Sequence, residues 1–416
     1  MNAIRPPVLT DLLQRQPPGH SLLAPFYSDP EVYRADLELI WKRQWIFAGH
    51  ECEIPEPGDY FSVPVGEDSI LVLRDEQGGV RALHNLCRHR GSLICDQPCG
   101  QLHKLVCPYH RWVYSLDGSL LHAPGMQEEL PREDLGLISV PARAVEGLIY
   151  FCLNPAPPEF DEAALVMGSV ARPQGLRQAK VAKAVDYLVG ANWKLVWENN
   201  RECYHCNANH PQYTRANFDH YNADDSTPRI REQMADAVRQ SEARWARAGL
   251  AASHKQTGMT TFPDAERNIW YSANRTVLAD GYLSETMDGR TVAPLMGVYQ
   301  SPDVGTVRMR SLPNFWNHSS CDHGVSTRLL PAGPERTAVR VSWLVHRDAE
   351  EGKDYDLTKL MPFWQLTSEQ DWVICERQQR GIRSSAYRPG PYSTYKEYNV
   401  DAFVRWYLNH LRGNFA

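Results

Sequence analysis

The chain has 416 residues, a formal charge of −6, 43% hydrophobic residues and ten cysteines. That length carries two to three domains with a sizeable core, and the acidic balance argues against a nucleic-acid or anionic-membrane partner. No run reaches the roughly eighteen apolar residues of a membrane span, and the first twenty residues carry prolines where an export signal has an apolar core, so the cysteines are expected as reduced thiols in a cytoplasmic protein.

Residues 30–45, PEVYRADLELIWKRQW, predict an amphipathic helix with Val32, Leu37, Ile40, Trp41 and Trp45 on its apolar face. Asp29 reads as its cap and Pro30 as part of its first turn. From 47 to about 155, short β-rich runs alternate with Gly, Pro and Asp turns (EPGDYF, DEQGGV, SLDGSL), the pattern of an all-β sandwich or barrel. Two short pairs lie inside this stretch, Cys87-x-His89 and Cys107-x-x-His110. Thiolate and imidazole are soft to borderline donors, so two of each suggest zinc or an iron–sulfur cluster. Strand-like runs at 70–73, 80–83 and 113–116 flank the pairs and place them in loops at the tip of a small β-structure. Two loops that each give one Cys and one His suit a two-iron cluster with Cys₂ on one iron and His₂ on the other. Structural zinc is the alternative, though it more usually combines CxxC with HxxxH and a helix between them. Cys95 and Cys99 sit between the pairs and are expected as bystanders, and the remaining cysteines mostly as small buried residues.

PAPPEF at 155–160 reads as a proline-rich exit and a domain boundary. Beyond it, 177–190 predicts a strand, 191–207 a helix and 225–255 a charged segment, helical or partly mobile. Further strands are expected at 268–271, 306–312, 324–330 and 337–346. A long helix is expected over 354–380, with Pro362 kinking it or marking its true first turn. An antiparallel sheet covered by helices makes this half α+β.

The 191–207 helix and its end contain WENNRECYHCNANHP. His205 and His210 are five apart, about 140° round an ideal helix, so one unbroken face could not bring both to a metal. Pro211 removes the conflict, because the residue before a proline is pushed out of helical geometry and His210 can swing back towards His205. Glu202, three residues before His205, lies one turn away on the same helical face. The rival reading, Cys203 and Cys206 as a CxxC redox pair, lacks a βαβ setting. Two imidazoles need a carboxylate to complete the facial triad of a non-haem ferrous site, which leaves positions open for dioxygen. Leu360, Trp364, Thr367, Asp371 and Ile374 fall on one helical stripe. Asp371 therefore points where its mostly apolar neighbours point, and a buried carboxylate needs a partner such as a metal. Glu369 and Glu376 lie off the stripe.

Cys87-Arg88-His89-Arg90-Gly91 and Cys107-Pro108-Tyr109-His110-x-Trp112 resemble the Rieske motif of ring-hydroxylating and N-demethylating oxygenase large subunits. That family also carries a carboxylate-x-x-His-x4-His segment followed far downstream by an Asp in a C-terminal helix, and Glu202, His205, His210 and Asp371 occupy those positions. The resemblance implies a Rieske domain at 47–160 with a [2Fe–2S] cluster on Cys87, His89, Cys107 and His110. It implies a helix-grip catalytic domain at 161–416 with mononuclear Fe(II) on His205, His210 and Asp371, and a helical segment at 1–46 packing on that domain. It further implies a homotrimer in which Glu202 links His110 of a neighbouring subunit to His205. Most of the family has Asp at the bridge. Glu202, with the stretch around it and the tail GIRSSAYRPGPYS, is similar to the branch acting on quaternary amines, the glycine betaine and stachydrine (proline betaine) demethylases.

That branch implies monooxygenation of an N-methyl group with O₂ and release of formaldehyde; hydroxylation of choline, carnitine or an aromatic compound is the alternative. No Gly-rich nucleotide fingerprint follows a strand, so electrons are expected from a separate flavin and iron–sulfur reductase that oxidises NAD(P)H. A cationic substrate favours an aromatic box. Phe315, Trp316 and Trp343 are candidates for it, with His318, Asp322 and His323 adding polar groups.

Overall fold

In a computed structural model of the chain, residues 7–127, 130–217, 227–250, 257–259 and 267–415 are described. The fold divides into two compact units: Trp41–Pro158, and the segments before and after it, up to Ile40 and from Glu159. The helix expected over 30–45 is shorter. Pro30–Asp36 is α-helical and Leu37–Trp41 is a π-turn, after which Trp45 leads into the strand Ile46–His50. Asp29 caps this helix, its Oδ1 accepting from the backbone N–H groups of Glu31 and Val32 at 2.7 and 3.2 Å.

The smaller unit is all-β. Asp59–Val65, Asp68–Arg74 and Val80–His84 form the centre of a five-stranded antiparallel sheet, and Leu105–Val106, Val113–Tyr114 and Leu120–His122 form a small sheet beside the second loop. Leu71, Leu83, Leu105 and Tyr114 make a core that also contains Cys87 and Cys107. The sulfur atoms are thereby part of the apolar packing, while the histidine loops stand at its rim.

The larger unit is built on a seven-stranded antiparallel sheet. Across it run Ala179–Val189, Arg336–His346, Gly324–Gly333, Phe315–Ser319, Thr306–Ser311, Tyr271–Thr276 and Thr257–Gly258. The strand expected at 268–271 begins only at Tyr271, because Asn268 takes left-handed backbone (φ 53°), and left-handed backbone ends an extended run. The charged segment expected over 225–255 contains the helix Pro228–Arg247; 225–226 and 251–255 lie outside the described residues. The long C-terminal helix runs Pro362–Ile382 with its proline in the first turn, as Pro's fixed φ allows.

The helix Trp193–Asn200 carries the chain to the site. Its cap Asn192 accepts from Lys194 N at 3.0 Å and donates to Pro334 O. Lys194 Nζ meets Asp36 Oδ2 at 2.5 Å with both side chains fully buried. Trp193 Nε1 and Tyr407 OH also donate to Asp36, so this buried charge has the partners that burial demands. Among the described residues no helix is long and apolar enough to cross a membrane.

Candidate active site and redox centre

The two Cys/His pairs sit in loops of matching construction. Cys87 O accepts from Gly91 N at 3.0 Å and Cys87 N donates to Ser92 O at 2.9 Å; Cys107 O accepts from Arg111 N at 3.1 Å and Cys107 N donates to Trp112 O at 2.9 Å. Each loop passes through left-handed backbone four residues after its cysteine, at Gly91 (φ 75°) and Arg111 (φ 58°). The two thiols are buried and near enough to hydrogen-bond each other. The His89 and His110 rings lie 4.6 Å apart between centroids, and His89 stacks on Trp112 at 4.9 Å and 4°. His89 Nδ1 and His110 Nδ1 are both buried with no hydrogen-bond partner among the described residues. A buried nitrogen without a partner is unfavourable, and metal ligation would satisfy both. Two thiols and two orphaned imidazole nitrogens fit a two-iron cluster. Cys95 and Cys99 are engaged otherwise: the Cys95 thiol is hydrogen-bonded to Tyr60, and Cys99 pairs with Phe61 in the sheet.

In the larger unit the helix expected over 191–207 ends at Asn200, and residues 201–205 form a turn. The Glu202 carboxylate closes this turn by accepting from the backbone N–H groups of Tyr204 and His205, a side-chain bond that competes with helix continuation. Its Oε1 also takes the His205 Nδ1 proton at 2.5 Å. The contact between Glu202 and His205 therefore comes from a turn, not from a shared helical face. The same turn brings Cys203 and Cys206 to a Cα–Cα distance of 5.0 Å, and the two form a disulfide. This departs from the expectation that the cysteines are reduced thiols. A bridge across one tight turn needs no βαβ unit.

His210 has φ −125° and ψ 69°, outside helical geometry and directly before Pro211, between the short helices Cys206–Asn209 and Pro211–Ala216. The structure brings His205, His210 and Asp371 together, with one ligand atom from each lying within 4.8 Å of the others. Asp371 Oδ1 is 3.2 Å from His205 Nε2 and 2.9 Å from His210 Nε2. Gln370 Oε1, at 2.8 Å, takes the Nδ1 proton of His210. Both imidazoles thus have an acceptor at Nδ1 and turn Nε2 to the carboxylate, the edge that could face a metal once Nε2 gives up its proton. Burial opposes a charge on His205, but hydrogen bonds to Asp371 and Glu202 outweigh it and push its pKa up to about 10. Burial would raise the Asp371 pKa, yet the two imidazoles hold it below the usual range. Such a site attracts positive charge and fits a divalent cation. Glu369 and Glu376 are engaged elsewhere, with Tyr187 OH and Gly190 N.

A cavity of about 450 Å³ includes the triad in its wall. Of the aromatic-box candidates, Trp316 and His318 line it, whereas Phe315 and Trp343 do not. Successive strand residues face opposite sides, so Phe315 points away from the side that Trp316 occupies. Trp343 shares a cross-strand row with Val325 and His318 but stands two strands further on. Asp322 and His323 are buried against each other (2.9 Å) and Ser284, outside the lining. The lining holds Tyr213, Trp364, Arg308 and Arg310 instead, none of which sequence reasoning assigned to substrate.

Residues 44–141 match the Rieske [2Fe-2S] domain family, and residues 176–413 match the ring hydroxylating alpha subunit (catalytic domain) family. The chain belongs to the ring-hydroxylating Rieske oxygenase alpha subunits, and is an oxidoreductase that carries a [2Fe–2S] cluster and a mononuclear iron. It is 42% identical to the glycine betaine monooxygenase oxygenase subunit of Chromohalobacter salexigens, over 96% of this chain and 88% of that one. The subunit of the same name from Pseudomonas aeruginosa is 38% identical, over 97% and 92%. Choline monooxygenase from Spinacia oleracea is 26% identical, over 95% and 79%. The fold is shared with the quaternary ammonium Rieske monooxygenase CntA, at a TM-score of 0.71 and 18% identity over 96% of this chain and 98% of that one. Members of this family use O₂, a small substrate and a separate reductase.

Proposed function

We propose that this chain is the oxygenase component of a monooxygenase that removes an N-methyl group from a betaine-type quaternary amine, glycine betaine or proline betaine. The observation that carries this reading is the metal-binding triad set in a cavity walled by Trp316, Trp364, Tyr213 and arginines. Aromatic faces attract a quaternary ammonium group, and the charged lining is unlike an arene pocket. The relatives from Chromohalobacter and Pseudomonas, similar over nearly their whole length, support the same substrate class.

Cys87, His89, Cys107 and His110 would hold the [2Fe–2S] cluster, and His205, His210 and Asp371 the ferrous iron. When bound, the two centres supply electrons and activate dioxygen. One O₂, two electrons and two protons convert an N-methyl to an N-hydroxymethyl group and water. That carbinolamine loses formaldehyde and a proton to leave the tertiary amine. Glu202 orients His205 and carries the electron path from His110 of a neighbouring subunit in a homotrimer. Electrons come from NAD(P)H through a flavin and iron–sulfur reductase, and the reading takes the protein as cytoplasmic.

The test is single-turnover oxidation of the reduced cluster with glycine betaine or proline betaine present, with formaldehyde measured. Substrate-dependent return of the oxidised cluster's visible absorption and about one formaldehyde per mononuclear iron are expected. No response to either betaine, with turnover of choline or an arene, would replace the substrate class.

A further inference from the structure

Three neighbouring strands present one row of polar groups to the cavity. In register, Asn274 stands opposite Arg308, Arg308 opposite His318, and Arg310 opposite Trp316. Side chains two apart on a strand share a face, so Arg308 and Arg310 point the same way, and all five residues line the cavity. His318 is 6% exposed, and neither of its ring nitrogens has a hydrogen-bond partner among the described residues. Its ring lies 4.3 Å from that of Trp364, on the helix that carries Asp371. A buried imidazole without a partner, on a cavity wall, is a polar group placed for a ligand.

The charge of the lining specifies that ligand. Arg201, Arg308, Arg310 and Lys396 supply four cations to the lining and Glu202 and Asp371 its two carboxylates, while the buried Glu285, whose charged form Arg308 favours, lies outside the lining. Both carboxylates are engaged by the imidazoles of His205 and His210. The guanidiniums are close enough to disfavour one another: burial and then Arg310 pull Arg201 down to about 9. Burial, then Arg308 and Arg310, keep His318 neutral. A bound ferrous ion adds further positive charge. A cation with no anionic end enters this field at a cost, and a carboxylate relieves it.

We propose that Arg308 and Arg310, with His318 beside them, form a carboxylate seat, so that the site selects a zwitterion whose carboxylate lies a short chain from its quaternary nitrogen. Anchored on the sheet at the carboxylate, such a molecule sets its N-methyl groups against Trp316 and Trp364 and towards His205, His210 and Asp371. The inference rests on the quaternary-amine reading for the cationic end only.

The test is calorimetric binding to the anaerobic holoenzyme with three ligands. Glycine betaine carries both charges. Tert-butylacetate has the same shape and carboxylate without the cation. Glycine betaine methyl ester keeps the cation without the anion. The wild type is expected to bind both carboxylates and to bind the ester about 10–100-fold more weakly, the range of one charged hydrogen-bonding pair. Arg310→Gln should weaken both carboxylates by a similar factor and leave the ester unchanged. Arg308→Gln should do the same, and if its buried site fails to fold, Arg310→Gln and the ligand series decide. Equal affinity for ester and betaine, full carboxylate affinity in Arg310→Gln, or no binding of either carboxylate would overturn the seat. Arginine-dependent binding of tert-butylacetate without binding of betaine would uphold the seat and overturn the quaternary-amine reading.

Discussion

The two candidate metal centres of this oxygenase are built by opposite means. In the smaller unit all four candidate ligands fall between Cys87 and His110, in two loops that repeat one hydrogen-bond pattern. In the larger unit the ligands come from a side-chain-closed turn, a pre-proline junction and a helix 161 residues beyond His210. The first centre is a local motif that any strand-tipped loop pair can present. The second exists only once the Trp193–Asn200 and Pro362–Ile382 helices have docked. Removing one ligand from each is the sharpest way to break the contrast. His110→Ala should bleach the visible cluster spectrum while mononuclear iron content stays near wild type. Asp371→Ala should do the reverse, losing mononuclear iron and all turnover with the cluster colour retained. Metal analysis and the visible spectrum read both. Full iron and turnover in Asp371→Ala would mean that a different carboxylate closes the triad.

The same contrast decides what could be read from the sequence. The Cys/His loops were legible because their spacing is short and the turns are made by the motif itself. His210 was legible for a stereochemical reason, since Pro211 forbids helix at the preceding residue. Asp371 followed from helical periodicity. The course of the chain between Asn200 and His205 was not legible, because no Gly or Pro marks the break. The turn is closed by the Glu202 side chain, which also takes the disulfide pair Cys203 and Cys206 out of helical register. The arginines of the cavity wall were missed for a different reason. Thr306, Arg308 and Arg310 alternate with Val307 and Met309, a pattern that in most antiparallel sheets marks a solvated face. Here that face is the inner one, and Arg308 is only 5% exposed. Of the aromatic candidates, Phe315 and Trp343 failed where sheet geometry had to be known: Phe315 and Trp316 are adjacent and cannot both face the cavity.

A smaller effect tests the electron path proposed through Glu202. Glu202 accepts the His205 Nδ1 proton and at the same time closes the turn that holds His205. Glu202→Gln keeps an oxygen to accept that proton, so both metals should be retained. It removes the charge, and such an outer carboxylate is typically worth about 10–100-fold in activity. Single-turnover oxidation of the reduced cluster should slow by that factor, with iron content unchanged. Glu202→Asp, one methylene shorter, should recover part of the rate. Wild-type kinetics in Glu202→Gln would remove this residue from the electron path.

The smallest expected effect lies wholly within the first centre and tunes it without dismantling it. Tyr114 OH lies 3.2 Å from Cys87 Sγ and also accepts from Arg88 N at 3.1 Å. With its lone pair turned to that N–H, the hydroxyl proton is directed to the sulfur. A hydrogen bond to a cluster thiolate favours the reduced form, which carries more negative charge, and so raises the reduction potential. Tyr114→Phe deletes the donor while keeping the ring in the core that surrounds both cysteines. Only the difference in hydrogen-bond strength between the two redox states counts. Charged hydrogen bonds are worth about 1.5–3 kcal/mol and 59 mV corresponds to tenfold, so the potential should fall by roughly 30–100 mV. Spectroelectrochemical titration of the purified variant reads this directly. The mononuclear iron content should not move, since that centre draws no ligand from these loops. An unchanged potential with the cluster intact would show that the hydroxyl proton is not given to Cys87.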